Sequence, residues 1–97
     1  MGHRSLVMVV AVIVHPIDTE KHPTIPAGFR WCAQFGTNPI DASQYLNAGW
    51  EPSINDASVT GEMVASSIYK AFRIMGIECD YLGVIQLADD PIPAEEI

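Results

Sequence analysis

Length, composition and charge already restrict what this chain can be. It has 97 residues, of which 48% are hydrophobic and 18% charged, and its net charge is −7. These values exclude a disordered chain and indicate one domain with a single modest core. The acidic balance disfavours nucleic acid as a partner, because neutralising phosphates requires clustered Lys and Arg. Cys32 and Cys79 are too few for a disulfide framework and predict reduced, buried thiols in a cytoplasmic protein.

The first predicted element is an apolar run at residues 6–14 (LVMVVAVIV). Its length fits the core of a signal peptide, but no small-x-small cleavage pattern follows it. The run is about half as long as a membrane helix needs to be. Its richness in Val and Ile predicts a buried central strand, covered on both faces, in a protein that does not bind a membrane.

A proline-containing loop is predicted next, at residues 15–27. It holds the densest group of potential metal ligands in the chain: His15, Asp18, Glu20 and His22. No cysteine lies nearby and the spacing matches no established ligand pattern, so we expect a polar, solvated connection with no metal or cofactor. A small enzyme, or a ligand- or metal-binding domain that uses residues 15–22, is the alternative hypothesis.

Residues 28–36 (GFRWCAQFG) alternate between large apolar and more polar side chains. This alternation predicts a second strand, antiparallel to the first. Residues 37–50 are ambiguous. Asn38 before Pro39 is typical of a helix start, and Gly49 would then end a short helix. A strand at residues 43–46 that turns at residues 47–49 is the competing interpretation, and we favour the helix.

The clearest predicted element is a helix at residues 56–75. Asn55 or Asp56 is expected to cap its start, and Gly76 to end it in the left-handed conformation. A last strand is predicted at residues 77–87. One helical stripe is expected to pack on the sheet: Gly61, Val64, Ala65, Ile68, Phe72 and Met75. A solvent-facing stripe is expected opposite it: Glu62, Ser66, Tyr69, Lys70 and Arg73.

Together these elements predict an α+β fold. Residues 1–90 are expected to form a single domain, a small three- to four-stranded sheet, antiparallel or mixed, with one long helix packed on one face. Residues 91–97 are expected to form an acidic C-terminal tail. One helix leaves the other sheet face thinly covered, so we expect a homodimer that forms through that face or through a sheet edge.

No residue is assigned to catalysis. Cys32 lies in the middle of a predicted strand, where a thiol usually packs, and Cys79 lies between two acidic residues, a poor setting for a nucleophile. The chain has no glycine-rich phosphate-binding motif and no Gly-x-Ser-x-Gly elbow.

The distribution of charge and aromatic residues predicts an interaction surface. Every Lys and Arg lies at or before position 73, and the C-terminal part carries only acidic charges. Uncompensated carboxylates on an apolar domain predict binding to a basic surface of a larger protein, unless they only keep the domain soluble. Trp50 either covers the core at the helix start, against Val59, or forms an aromatic patch with Tyr45. The candidate partner-binding residues are Tyr45, Trp50, Glu78, Asp80, Asp89 and Asp90.

The function predicted from these features is a small, acidic, non-enzymatic interaction module that regulates or inhibits a larger protein. Accessory proteins of phages and mobile elements, which counter host defence or take over the host, have a similar size and charge. That analogy rests on composition alone.

Overall fold

The computed structural model describes residues 8–37 and 45–94. In chain order these form strand β1 (Val9–Pro16), strand β2 (Phe29–Gly36), strand β3 (Asn47–Glu51), helix α1 (Ile54–Ile74) and strand β4 (Asp80–Gln86). The strands make one mixed sheet in the order β3-β2-β1-β4, and α1 packs on one of its faces. The predicted α+β fold is therefore confirmed. No helix in the described ranges is both long and apolar enough to cross a membrane.

Strand β1 is the centre of the sheet. It pairs antiparallel with β2 on one side and parallel with β4 on the other. Every residue from Val10 to His15 is fully buried. Because a run of Val and Ile has no polar side chains that could face water, both faces of this strand must be covered. Helix α1 covers the face of Val12, while Leu87 and Ile92 pack against Ile13 on the other face. The prediction of a buried central strand is confirmed.

Small residues let α1 lie close to the sheet. Ala57, Gly61 and Ala65 are the buried positions of the helix, spaced four residues apart on one stripe. A Cβ atom added at Gly61 would lie 2.5 Å from Val12 Cγ1 and 3.1 Å from Trp31 Cβ. Only glycine permits this approach, so the sequence sets the distance between helix and sheet at this position.

The ends of α1 agree only partly with the prediction. Ser53, not Asn55 or Asp56, caps the helix, and its Oγ accepts a hydrogen bond from the Asp56 amide at 3.1 Å. Gly76 follows the helix with a φ of +80°, which confirms the predicted left-handed stop. Met75 is exposed and does not belong to the core stripe. Tyr69, expected on the solvent side, packs against Tyr81 of β4.

Strand β3 corrects both interpretations of residues 37–50. Residues 38–44 lie outside the described ranges, so the proposed helix start at Asn38 is not tested. Gly49, however, lies within β3 and opposite Trp31 of β2. A helix that ends at Gly49 is therefore wrong, and so is a turn at residues 47–49. A Cβ at Gly49 would lie 2.7 Å from the Trp31 ring, so this glycine allows the indole to cross the strand.

Candidate protein-binding surface

Strand β3 is an edge strand that pairs, among the described residues, only with β2. Large apolar side chains are exposed on and just before it: Tyr45 is 52%, Leu46 54% and Trp50 40% accessible. We call these three side chains the apolar edge. Edge strands present backbone hydrogen-bonding groups, and contiguous exposed apolar side chains mark surfaces that bind other proteins.

Trp50 lies on the sheet face opposite α1. Its neighbour Gly49 contacts Trp31, which belongs to the core under the helix, so strand alternation places Trp50 on the other side. The predicted packing of Trp50 against Val59 is therefore wrong. The indole lies over Gly28, where a Cβ would be 2.6 Å from Trp50 Nε1, and Nε1 donates a hydrogen bond to the Pro26 carbonyl at 3.1 Å. The loop before β2 thus holds a half-exposed tryptophan in place.

Tyr45 lies beside a fixed positive charge. The Arg30 guanidinium lies 4.7 Å from the centroid of the Tyr45 ring, within the range of a cation–π interaction. Arg30 is also the cross-strand partner of Trp50, so the two aromatic side chains flank it on one face of the sheet. A surface cleft of about 450 Å³ lies here, lined by Ile17, Ile25, Arg30, Tyr45 and Trp50 among others.

A second concavity lies on the helix side of β3. This groove of about 620 Å³ is lined mainly by apolar side chains: Leu46, Met63, Val64, Ile68, Ala71 and Phe72. Leu46 and Asn47 line both the cleft and the groove. The apolar edge therefore separates two adjoining depressions, each large enough to accept side chains of another protein.

The acidic candidates lie elsewhere. Asp80 begins β4, at the sheet edge opposite β3, and Glu78 precedes it; both are exposed. The register pairs Asp80 with Val9 at one end of β1, whereas Trp50 lies near its other end, across from Arg30 and His15. Glu78 and Asp80 therefore do not share a surface with Trp50. Asp89 is exposed in the segment that follows β4.

Asp90, a predicted partner-binding residue, is not available to a partner on the surface, because its side chain is only 1% accessible. Its Oδ2 accepts from the Asp18 amide and its Oδ1 from the Ile92 amide, both at 2.9 Å. His15 Nδ1 lies 3.6 Å from Oδ1, and His22 Nε2 lies 3.4 Å from Oδ2. Asp90 is thus the centre of a buried polar cluster that joins the C-terminal segment to the loop after β1.

Two opposing effects act on the carboxyl of Asp90. Burial raises its pKa, but the amide hydrogen bonds from Asp18 and Ile92, with nearby positive charge, outweigh burial and lower the pKa below 3.8. Asp90 is therefore ionised at neutral pH and is held by backbone donors.

His15 is fully buried in the same cluster. Burial lowers its pKa below 6.5 and outweighs the hydrogen bond to the Pro16 carbonyl and the Asp90 charge, which raise it. The ring is neutral at neutral pH, with the proton on Nδ1, which lies 2.8 Å from the Pro16 oxygen. Its Nε2 is buried and has no hydrogen-bond partner among the described residues.

The loop of residues 15–22 is thus less solvated than expected, since both of its histidines are buried. No group of three or more His, Cys, Asp or Glu in the described ranges is arranged to hold a metal ion. Cys32 and Cys79 are free and buried, and burial raises the pKa of Cys32 to about 11. Cys32 is accordingly a packing residue rather than a nucleophile.

Sequence reasoning missed Leu46. An isolated leucine in a stretch with no clear periodicity gave no reason to place it on a sheet edge, although its position next to Tyr45 was a usable signal.

No protein-family model, curated protein or solved structure matches the chain.

Proposed function

We propose that this protein is a small, acidic, non-enzymatic interaction module that binds a larger protein through the apolar edge. One observation carries the proposal: Tyr45, Leu46 and Trp50 are exposed together on and just before an edge strand, between two adjoining depressions. Exposure of such side chains to water is unfavourable in free energy, and burying them against a partner is therefore favourable.

The partner that fits this surface has apolar side chains to fill the two depressions, and the net charge of −7 favours a partner that also carries basic charge. Tryptophan and tyrosine are enriched among the residues that dominate binding energy, and truncating one typically costs about 2 kcal/mol or more. The hydrogen bond to the Pro26 carbonyl already orders the indole of Trp50, so its side chain loses little conformational entropy when a partner binds.

The acidic residues act at longer range. Glu78 and Asp80 lie at the far edge, so they contribute to the field of a chain with a net charge of −7 rather than to contacts at Trp50. Such a field speeds encounter with a basic partner and orients it. A compact module of this kind suits a regulator or inhibitor that covers a surface of its target.

The buried cluster around Asp90 supports this reading over an enzymatic one. A general base must reach the substrate proton directly or through one water. His15 and the Asp90 side chain are shielded from solvent, and His15 Nδ1 and both Asp90 carboxylate oxygens contact the protein backbone. We therefore assign the cluster a structural role.

A matched pair of leucines provides the test. Leu46 is 54% and Leu82 is 50% accessible, and they lie at opposite sheet edges. Wild type, Leu46→Asp and Leu82→Asp are immobilised, exposed to extract of the source cells, and the bound proteins are quantified by mass spectrometry. We expect one protein whose recovery falls at least about tenfold with Leu46→Asp, corresponding to about 1.4 kcal/mol, and is unchanged with Leu82→Asp.

Circular dichroism of both variants verifies that each is folded. Equal recovery from all three proteins, or a loss specific to Leu82→Asp, would contradict the proposal. A Trp50→Phe variant gives a second measure, because it keeps an aromatic ring but loses the hydrogen bond to Pro26 and part of the contact area.

A further inference from the structure

The C-terminal segment covers the sheet face that α1 leaves free. Leu87 and Ile92 pack against the buried side chains of Ile13 and Cys32. The Leu87 amide donates to the Val14 carbonyl at 2.9 Å. We call residues 87–94 the C-terminal strap.

After Leu87, few polar contacts hold the strap to the rest of the protein. The Asp90 carboxylate binds the Asp18 amide, Lys21 Nζ donates to the Asp90 carbonyl, and His22 Nε2 lies 3.1 Å from the Ile92 carbonyl. These contacts all end on one short loop, so the strap can leave the sheet without breaking the pairing of β1 with β2.

We propose that the C-terminal strap is a pH-responsive element, which protonation of His15 releases from the sheet. His15 lies beneath the strap, fully buried, with Nδ1 committed to the Pro16 carbonyl and Nε2 without a partner among the described residues. A proton added at Nε2 would create a buried N–H and a buried positive charge with no acceptor. Opening of the strap gives that nitrogen access to water.

The charges that face His15 do not remove the free-energy cost of protonating its buried Nε2. Arg30 from β2 and Lys21 from the loop both disfavour a second positive charge. Asp90 favours it, but its carboxylate lies on the Nδ1 side and already accepts from two backbone amides. Cys32, which packs with the strap on the same sheet face, is buried and un-ionised, because burial raises its pKa.

His22 behaves differently from His15. Its Nε2 lies between two acceptors on the strap, the Ile92 carbonyl and the Asp90 carboxylate, whereas His15 Nε2 faces no acceptor among the described residues. His15 is therefore the sensor, and His22 supplies a matched control.

The sign of the pH effect follows from linkage. The pKa of His15 is lowered in the closed form and returns to about 6.5 when the ring reaches water. As pH falls below 6.5, the open form takes up a proton that the closed form resists. The opening equilibrium then rises by up to tenfold per pH unit until the closed form also protonates. Asp90, whose pKa is lowered, holds the strap above about 3.8 and loses this contribution only at lower pH.

Amide hydrogen exchange followed by NMR between pH 7.5 and 5 tests the proposal. The Leu87 and Asp18 amides donate the hydrogen bonds that join the strap to β1 and to the loop. Their protection factors should fall as the pH drops below 6.5, by up to about tenfold per pH unit, while amides of the β1–β2 ladder keep theirs. His15→Phe should abolish the fall, and His22→Gln should retain it.

Three outcomes would overturn the proposal: strap and ladder amides losing protection together, no fall in the wild type, or the same fall in His15→Phe. If His15→Phe does not fold, the wild-type ring provides the answer. The NMR titration of His15 must then coincide with the loss of protection at the Leu87 and Asp18 amides, and a separate midpoint refutes the mechanism.

Discussion

Gly61→Ala tests how closely α1 approaches the sheet. In a helix interior alanine is favoured over glycine by about 1 kcal/mol, so an unhindered site would be stabilised. Here the new Cβ would lie 2.5 Å from Val12 Cγ1 and 3.1 Å from Trp31 Cβ. Val12 is fully buried and has no long side chain that can swing away. Overpacking of this kind costs about 1–3 kcal/mol, and the short distance to Val12 favours the upper part of that range.

We therefore expect a net destabilisation of about 1–2 kcal/mol, or a loss of roughly 4–16 °C in Tm for a domain of this size. Urea and thermal unfolding followed by circular dichroism measure it. Ala71→Gly is the matched control, because Ala71 is exposed on the same helix and reports the propensity difference without a clash. If Gly61→Ala stabilises the protein by as much as Ala71→Gly destabilises it, the helix does not lie as close to β1 as described.

Two further predictions concern association. Light scattering at micromolar concentration should give about twice the chain mass of 10.6 kDa. Because the C-terminal segment covers the free sheet face, we expect the symmetric dimer to form through a sheet edge and to cover exposed apolar side chains there; a monomer at all accessible concentrations would contradict this. Association with the captured partner should slow with added salt, as the Debye length shrinks from about 10 Å at 0.1 M to about 3 Å at 1 M. Asp89→Asn should reduce the rate and its salt dependence, and identical behaviour to wild type would show that this charge serves only solubility.

The parts of the fold with a strong local signal were predictable. The Val and Ile run of β1 has no polar face, and the glycine and alanine spacing of α1 gives one packing stripe. These patterns depend only on neighbours in sequence, so they identify a central strand and a helix without knowledge of the rest.

Strand β3 was missed because its identity depends on β2. Gly49 is a poor strand residue in isolation, and its place in the sheet follows from the Trp31 ring that lies across it. Turn-forming residues therefore predicted a helix end or a turn where the chain in fact pairs. Pairing with β2 overrides the local preference of residues 47–49 for a turn.

Asp90 shows the same limit at the level of the site. In sequence it is one acidic residue next to Asp89, and nothing local distinguishes the two. The difference arises because the chain returns over the sheet and brings Asp90 to His15 and the Asp18 amide, far away in sequence. Tyr45 and Trp50 were identifiable as candidates, but their placement beside Leu46 at the edge of the sheet required the structure.

Hydrogen–deuterium exchange of the protein with and without its captured partner tests the central claim most directly. The partner is added at saturation and exchange is read by mass spectrometry over peptides that cover β3, the facing side of α1 and β4. We predict slower exchange at residues 45–51, extending to residues 63–72 of the groove, and unchanged exchange at residues 80–86. Protection confined to residues 80–86, or no protection at residues 45–51, would contradict it.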